Sequence, residues 1–151
     1  MPAAPADPES FVRSACRLTP VPQVRQIRLH LAEDVLGLWQ RTEDEFGTGR
    51  PPPFWAFAWP GGQALARYVL DHADLVAGRT VLDLGSGSGL VAIAAAMAGA
   101  AAVLASEIDA LAVAAIGLNA RANGNSMSVD PLFEGCLYVS GIDDRVRAPM
   151  P

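Results

Sequence analysis

The sequence predicts an α/β fold built on a parallel sheet, and three observations carry that prediction. Twelve prolines are present, yet none falls between Gly61 and Asp130, so regular structure there is uninterrupted. Within that stretch, short strand-like hydrophobic runs alternate with helix-like runs across short links, the pattern of parallel strands with crossover helices. The composition, 51% hydrophobic and 18% charged over 151 residues, is that of one globular domain and excludes a disordered chain.

Five prolines fall within residues 1–22, and residues 1–20 read as a flexible leader. Met1 to Glu9 has neither the basic nor the apolar region of a secretory signal. Ile27 to Leu31 alternates as a short strand. Glu33 to Phe46 spaces Val35, Leu38, Trp39 and Phe46 among charges, an amphipathic helix. Gly47 to Pro53 is a loop, followed by the aromatic cluster Phe54 to Trp59. Gln63 to His72 is a helix with Leu65 and Val69 on its inner face. Thr80 to Leu84 is a short buried strand, Gly85 to Gly89 a glycine loop, and Leu90 to Ala98 an Ala-rich helix. Ala101 to Ala105 is a second strand. Asp109 caps a helix with Leu111, Ala114, Ala115, Leu118 and Ala122 on one face, stopped at Asn123-Gly124. The unit spans residues 21–125. Beyond it, residues 126–151 form a divergent tail with one strand, Cys136 to Ser140.

The net charge of −5 leaves no electrostatic footprint for nucleic acid or an anionic membrane. All eleven cations are Arg, so Lys nucleophiles and Schiff bases are excluded. Leu84 to Ser106 carries no charge and is long enough to raise a membrane helix. Its four glycines and many alanines fit a soluble strand–loop–helix–strand unit better. Cys16 and Cys136 form neither a disulfide framework nor a zinc pattern, so no metal is expected and a reducing cytoplasm is the default.

The chemistry lies in Val81 to Leu90, a hydrophobic strand ending in Asp-x-Gly-x-Gly-x-Gly that opens a helix. Glycines let the backbone approach a ligand, and the helix start presents free N–H groups. Glu107 follows Gly85 by 22 residues, at the end of the second strand, where a carboxylate can accept two ribose hydroxyls. Together these describe a nucleoside cofactor at the sheet edge. The dinucleotide fingerprint competes: Gly87 to Ala92 matches it, with Glu107 placed 20 residues after Gly87. Asp83 argues the other way, since an anion there repels a pyrophosphate and suits a cationic ligand such as the methionine ammonium of S-adenosylmethionine. A nicotinamide-dependent oxidoreductase domain therefore stays open at this point.

The run 81–90 resembles the first motif of class I S-adenosylmethionine-dependent methyltransferases, and Glu107 resembles their ribose-binding acid. Ile27 to Ala32, Pro52 to Gln63 and Asn119-x-x-x-Asn123-Gly124 resemble one branch: protein-lysine methyltransferases similar to electron-transfer flavoprotein β-subunit lysine methyltransferase. That resemblance implies a Rossmann-like methyltransferase fold and S-adenosylmethionine as cofactor. The acceptor it implies is a protein lysine or a small amine. It places Asp83, Gly85, Gly87 and Gly89 about the methionine end, Glu107 on the ribose, Ile108 against adenine, and Trp59 over the pocket. Nothing after Asn125 matches the family's later acceptor-pocket motif, so the sheet is expected to be incomplete on its C-terminal side. The resemblance then implies a truncated form of a longer enzyme, one that binds cofactor without turnover or self-associates through an open sheet edge. No catalytic base is named.

Plainer roles stand beside these. Trp55, Phe57 and Trp59 are expected to pack under a loop. Asp109 is expected to cap its helix, His30 to be a strand residue and His72 a surface residue. Asn119 is expected on the helix surface and Asn123 at the C-cap.

Overall fold

The computed structural model describes residues 7–125, 127–129 and 136–139. It is mixed α/β, with α1 (Pro8–Ala15), β1 (Arg17–Val21), β2 (Val24–Leu31), α2 (Val35–Phe46) and α3 (Pro60–Asp71) leading to β3 (Thr80–Leu84). There follow α4 (Leu90–Met97), β4 (Ala102–Ser106), α5 (Ala110–Ala122), β5 (Met127–Val129) and β6 (Cys136–Val139). Single 3-10 turns lie at Phe54–Ala56 and Ala73–Leu75.

The glycine loop and the parallel pairing of the strands beside it follow expectation. β3 and β4 pair in parallel, with Asp83 opposite Ala105 and Leu84 opposite Ser106, and α4 connects them. The sheet does not stay parallel: its order is β3-β4-β6-β5, with β6 antiparallel to β4 and β5 antiparallel to β6. Within the expected strand Cys136 to Ser140, residues 136–139 do form a strand. Only residues 130–135 separate β5 from β6, fewer than the dozen or so that a parallel crossover needs.

β3 departs from the buried strand expected of it. It is an edge strand among the described residues, and Leu82 and Leu84 are exposed. A run such as Val-Leu-Asp-Leu reads as buried because parallel strands are covered on both faces; here one face and one edge of β3 meet solvent.

The flexible leader expected over residues 1–20 is corrected over residues 8–20, while residues 1–6 lie outside the described residues. Residues 8–21 form α1 and β1, and Phe11 and Val12 are fully packed against Leu38, Trp55, Leu111, Ala115 and Leu118. Asp7 caps α1 by accepting from Ser10 N at 3.0 Å, and Pro8 occupies its first turn. Arg121 on α5 pairs with Glu9 at 2.6 Å. β1 escapes periodicity because four of its five residues are exposed and Pro20 interrupts it. Its pairing with β2, Arg17 opposite Leu31 through Pro20 opposite Arg28, is what makes it a strand.

Two cores result. One gathers Ile27 and Leu29 of β2, Ala66 and Val69 of α3, Ile93 of α4, Val103 of β4 and Ile116 of α5. The other is the α1–α2–α5 cluster around Trp55. The inner face of α3 is Gln63, Ala66 and Val69, while Leu65 is exposed. On α2, Leu38 and Thr42 are buried and Val35 is exposed. α5 is buried on more sides than one amphipathic stripe provides, because β2, α1 and the glycine loop all pack on it.

The edge of β2 facing α5 is closed by side chains. Asn123 Oδ1 accepts from Arg28 N at 2.9 Å, and Asn123 Nδ2 donates to Arg28 O at 2.7 Å. Asn119 Oδ1 accepts from His30 N at 2.8 Å. Four helical residues advance about 6.0 Å and two strand residues about 6.6 Å, so asparagines four apart meet strand residues two apart. No helix among the described residues is long and apolar enough to cross a membrane.

If residues 8–15 belong to the core, Phe11→Ala destabilises the protein by about 3 kcal/mol, the usual cost of a buried Phe-to-Ala change. Urea unfolding of the full chain measures this. A change within about 0.5 kcal/mol would return α1 to the status of a leader.

Candidate functional site

At the carboxyl ends of β3 and β4 lies a cleft of about 490 Å³, the size range of small-molecule sites. One wall is the glycine loop, a second is Glu107 to Asp109, and the third is the segment from Pro51 to Trp59. Six of the residues expected to hold a cofactor line it: Trp59, Asp83, Gly85, Gly87, Glu107 and Ile108. Gly89 does not. It lies beneath the loop with φ +82°, and a Cβ there would sit 3.2 Å from Ile116. Its positive φ and the closeness of Ile116 both favour glycine there.

Two carboxylates organise the loop. Asp83 Oδ2 accepts from Ser86 Oγ at 2.7 Å and from Ala92 N at 3.0 Å. It thereby ties the end of β3 to a free N–H in the first turn of α4, where the helix supplies no acceptor. Asp83 Oδ1 takes no hydrogen bond from the described residues, leaving acceptor capacity and negative charge at the cleft. Glu107 Oε2 accepts from Gly87 N at 2.9 Å, across from β4 to the loop. Its Oε1 accepts from Ile108 N at 2.7 Å and Asp109 N at 3.3 Å. An ionised carboxylate offers about four acceptor sites, so three backbone bonds do not exhaust it. Gly87 reaches Glu107 at φ +57°, a conformation in which glycine meets no Cβ penalty. The loop is fastened again by Ser86 N to Ser106 O at 2.9 Å.

Asp109 caps α5 by accepting from Leu111 N at 2.9 Å, and it also lines the cleft. Burial pushes its carboxyl above the ordinary range, backbone N–H groups of Leu111 and Ala112 oppose that, and the charge of Glu107 adds to it.

The aromatic wall divides in two. Phe54 and Trp59 are exposed, with ring centroids 6.0 Å apart, and Trp59 Nε1 donates to Phe54 O at 2.8 Å. Trp55 is buried, and its indole N–H finds no acceptor among the described residues. An unmet buried donor costs about 1–3 kcal/mol unless a bound group or water accepts it. Trp55 and Phe57 thus have the packing role expected of them, while Trp59 lies at the surface of the cleft.

Asn119 is the residue that periodicity misplaced. It is fully buried, not on the helix surface. Its Nδ2 donates to Ser88 O in the glycine loop at 2.8 Å, and its Oδ1 faces the ring of His30 at 2.9 Å. The signal available in sequence was the Asn-x-x-x-Asn spacing opposite a short alternating strand. His72, as expected, is a surface residue at the end of α3. Among the described residues no cluster of His, Cys, Asp and Glu has metal-binding geometry.

The model of a ribosomal protein L11 methyltransferase family matches residues 63–137, from within α3 through the glycine loop and α5. The electron transfer flavoprotein beta subunit lysine methyltransferase of Rattus norvegicus is 46% identical over 113 residues, covering 75% of this chain and 42% of that protein. Its Homo sapiens counterpart is 46% identical over 81 residues, covering 54% of this chain and 28% of that protein. The Xenopus laevis protein is 43% identical over 85 residues, covering 56% and 34% respectively. By these matches the chain resembles methyltransferases, and within them the protein-lysine branch indicated by its motifs. It spans less than half the length of these curated relatives.

The raised Asp109 carboxyl yields a prediction with a definite sign. A carboxyl whose folded pKa is raised contributes stability at low pH that is lost as pH rises through that pKa. Asn caps helices as well as Asp does, so Asp109→Asn keeps the cap and removes the buried charge. The stability of D109N relative to wild type should grow between pH 4 and pH 7, measured by urea unfolding at both. A constant difference would show that Asp109 is solvated in the folded protein.

Proposed function

We propose that the chain is the cofactor-binding part of an S-adenosylmethionine-dependent methyltransferase acting on a protein lysine. The observation that carries this reading is the pair Asp83 and Glu107. Adjacent parallel strands deliver two carboxylates to one cleft, on either side of a glycine loop. The anion of Asp83 disfavours a dinucleotide pyrophosphate and suits a cationic amino-acid end, while Glu107 suits a ribose. S-adenosylmethionine fits that donor set and the cleft volume, and when bound it supplies an electrophilic methyl group.

In this reading Asp83 Oδ1 accepts from the ammonium of the methionine end, while Oδ2 keeps the loop fixed to α4. Glu107 accepts from the ribose hydroxyls, and Ile108, almost fully exposed, covers the adenine. Gly85 and Gly87 let the backbone approach closely. The chain's contribution to methyl transfer is alignment of an acceptor nitrogen with the methyl carbon and sulfur. The acceptor enters past Phe54 and Trp59, whose exposed rings suit the apolar stem of lysine. A lysine with a reference pKa of about 10.4 must lose its proton before attack; desolvation against these rings favours the neutral amine. No side chain is assigned as base. The same entrance admits a small amine. A reducing, cytoplasmic setting suits a chain with two cysteines and no disulfide framework.

One observation favours a second reading, a module that binds cofactor without turnover. The outer edge of β3 is unpaired among the described residues and carries exposed Leu82 and Leu84, a surface that takes another strand, including one from a second copy.

Calorimetric titration tests the proposal. S-adenosylmethionine should bind in the micromolar range and NAD should not. Asp83→Asn keeps an oxygen for Ala92 N and Ser86 while removing the charge, and it should weaken S-adenosylmethionine binding by about tenfold, the effect of one lost charge interaction of about 1.4 kcal/mol. Unchanged affinity in D83N, or binding of NAD alone, overturns the cofactor assignment. Methyl transfer to lysine peptides, followed by mass, then separates the enzyme from the silent module.

A further inference from the structure

We propose that Asn119 is a positioning residue for the cofactor loop, coupling the β1–β2 hairpin to the glycine loop through one buried amide. The inference deepens the cofactor reading above and rests on it.

The orientation of the amide follows from its partners. His30 N is a backbone donor, so the atom facing it at 2.8 Å is the Asn119 oxygen. Nδ2 therefore faces Ser88 O, as required for it to donate at 2.8 Å. The same oxygen meets His30 Nδ1 at 2.9 Å, so Nδ1 carries a proton and the neutral ring is the Nδ1–H tautomer. All three contacts are complementary, and Asn119 has no exposed surface. His30 is the one ionisable side chain hydrogen-bonded to it among the described residues.

The placement gives the amide its function. Ile116 and Asn119 lie three residues apart on α5 and share a face. Ile116 fills the space below Gly89, where a Cβ would sit 3.2 Å from it, and Asn119 holds the carbonyl of Ser88, the preceding residue. Asp83 and Glu107 fasten the loop from the strand side, through Ser86, Ala92 and Gly87. Asn119 fastens it from the helix side. Asn123, one turn further on, clamps Arg28 of the hairpin and makes no contact with the loop. The two asparagines share an attachment to β2, and only Asn119 extends it to the cofactor cleft.

Asn119→Asp tests this in the full chain. The carboxylate keeps an acceptor for His30 but sets an oxygen against Ser88 O. At pH 8, S-adenosylhomocysteine affinity should fall about tenfold relative to wild type at the same pH. At pH 5.5 the deficit should shrink to about twofold, because the protonated carboxyl can donate to Ser88 O. Asn123→Ala, the hairpin control, should lower the melting temperature and leave affinity within about twofold. Amide exchange without ligand gives a readout independent of the cofactor: Gly87 to Leu90 should exchange faster in N119D and α1 should not. Should the carboxyl prevent folding, Asn119→Ser, whose hydroxyl cannot span from α5 to Ser88 O, should show the same affinity loss without recovery on acidification. Wild-type affinity in N119D at pH 8 with unchanged loop exchange overturns the positioning role. So does an equal affinity loss in N123A, which would make the effect general destabilisation. Faster loop exchange in N119D, with no S-adenosylhomocysteine binding by wild type, would overturn the cofactor reading and leave the positioning role standing.

Discussion

Everything in the cleft depends on finding acceptors for backbone N–H groups where β3 gives way to α4. A helix start leaves its first N–H groups without intrahelical partners, and a glycine loop adds more. Asp83 and Glu107 meet that need with carboxylate oxygens at Ala92 and Gly87. The same two groups, with Asp109, give the cleft its acidic lining. Loop architecture and cleft charge thus share one pair of side chains.

The rest of the structure is a platform under that loop. Ile116 and Asn119 on α5 support it from below, β4 places Glu107 beside it, and Asn119 and Asn123 bind α5 to the hairpin. α1 in turn covers α5, through Phe11 and Val12 in the core and the Arg121–Glu9 pair at the rim. α5 is therefore buried nearly all round although it is a surface helix by sequence. Its small residues, Ala112, Ala115, Gly117 and Ala120, let three neighbours approach at once.

The two sides of the cleft differ in character. On the loop side every polar group of Asp83 and Glu107 that binds protein does so through a fixed backbone or neighbouring hydroxyl, a rigid and pre-arranged surface. On the entrance side stand exposed aromatic rings, with Trp59 held by its own indole bond to Phe54 O. A rigid polar wall suits an invariant cofactor, and an exposed aromatic rim suits an acceptor that arrives on another molecule. The edge of β3 carries Asp83 on a strand that is itself only half covered, so the cleft lies next to an open edge of the sheet.

The sequence by itself determined the strands, glycine loop and helices from Thr80 to Ala122. Those features are local: hydrophobic period, glycine placement and capping act within a few residues of themselves. Tertiary structure decided whatever required a partner distant in the chain. α1 is structured with Phe11 and Val12 in the core beside α5, and β1 is a strand because β2 lies beside it. Gly89 serves Ile116, and β3 is exposed because no strand pairs its outer edge among the described residues. Asn119 looked like a surface residue because a polar side chain in a helix is buried only when every donor and acceptor is met. Its partners, at positions 30 and 88, meet only in the folded chain.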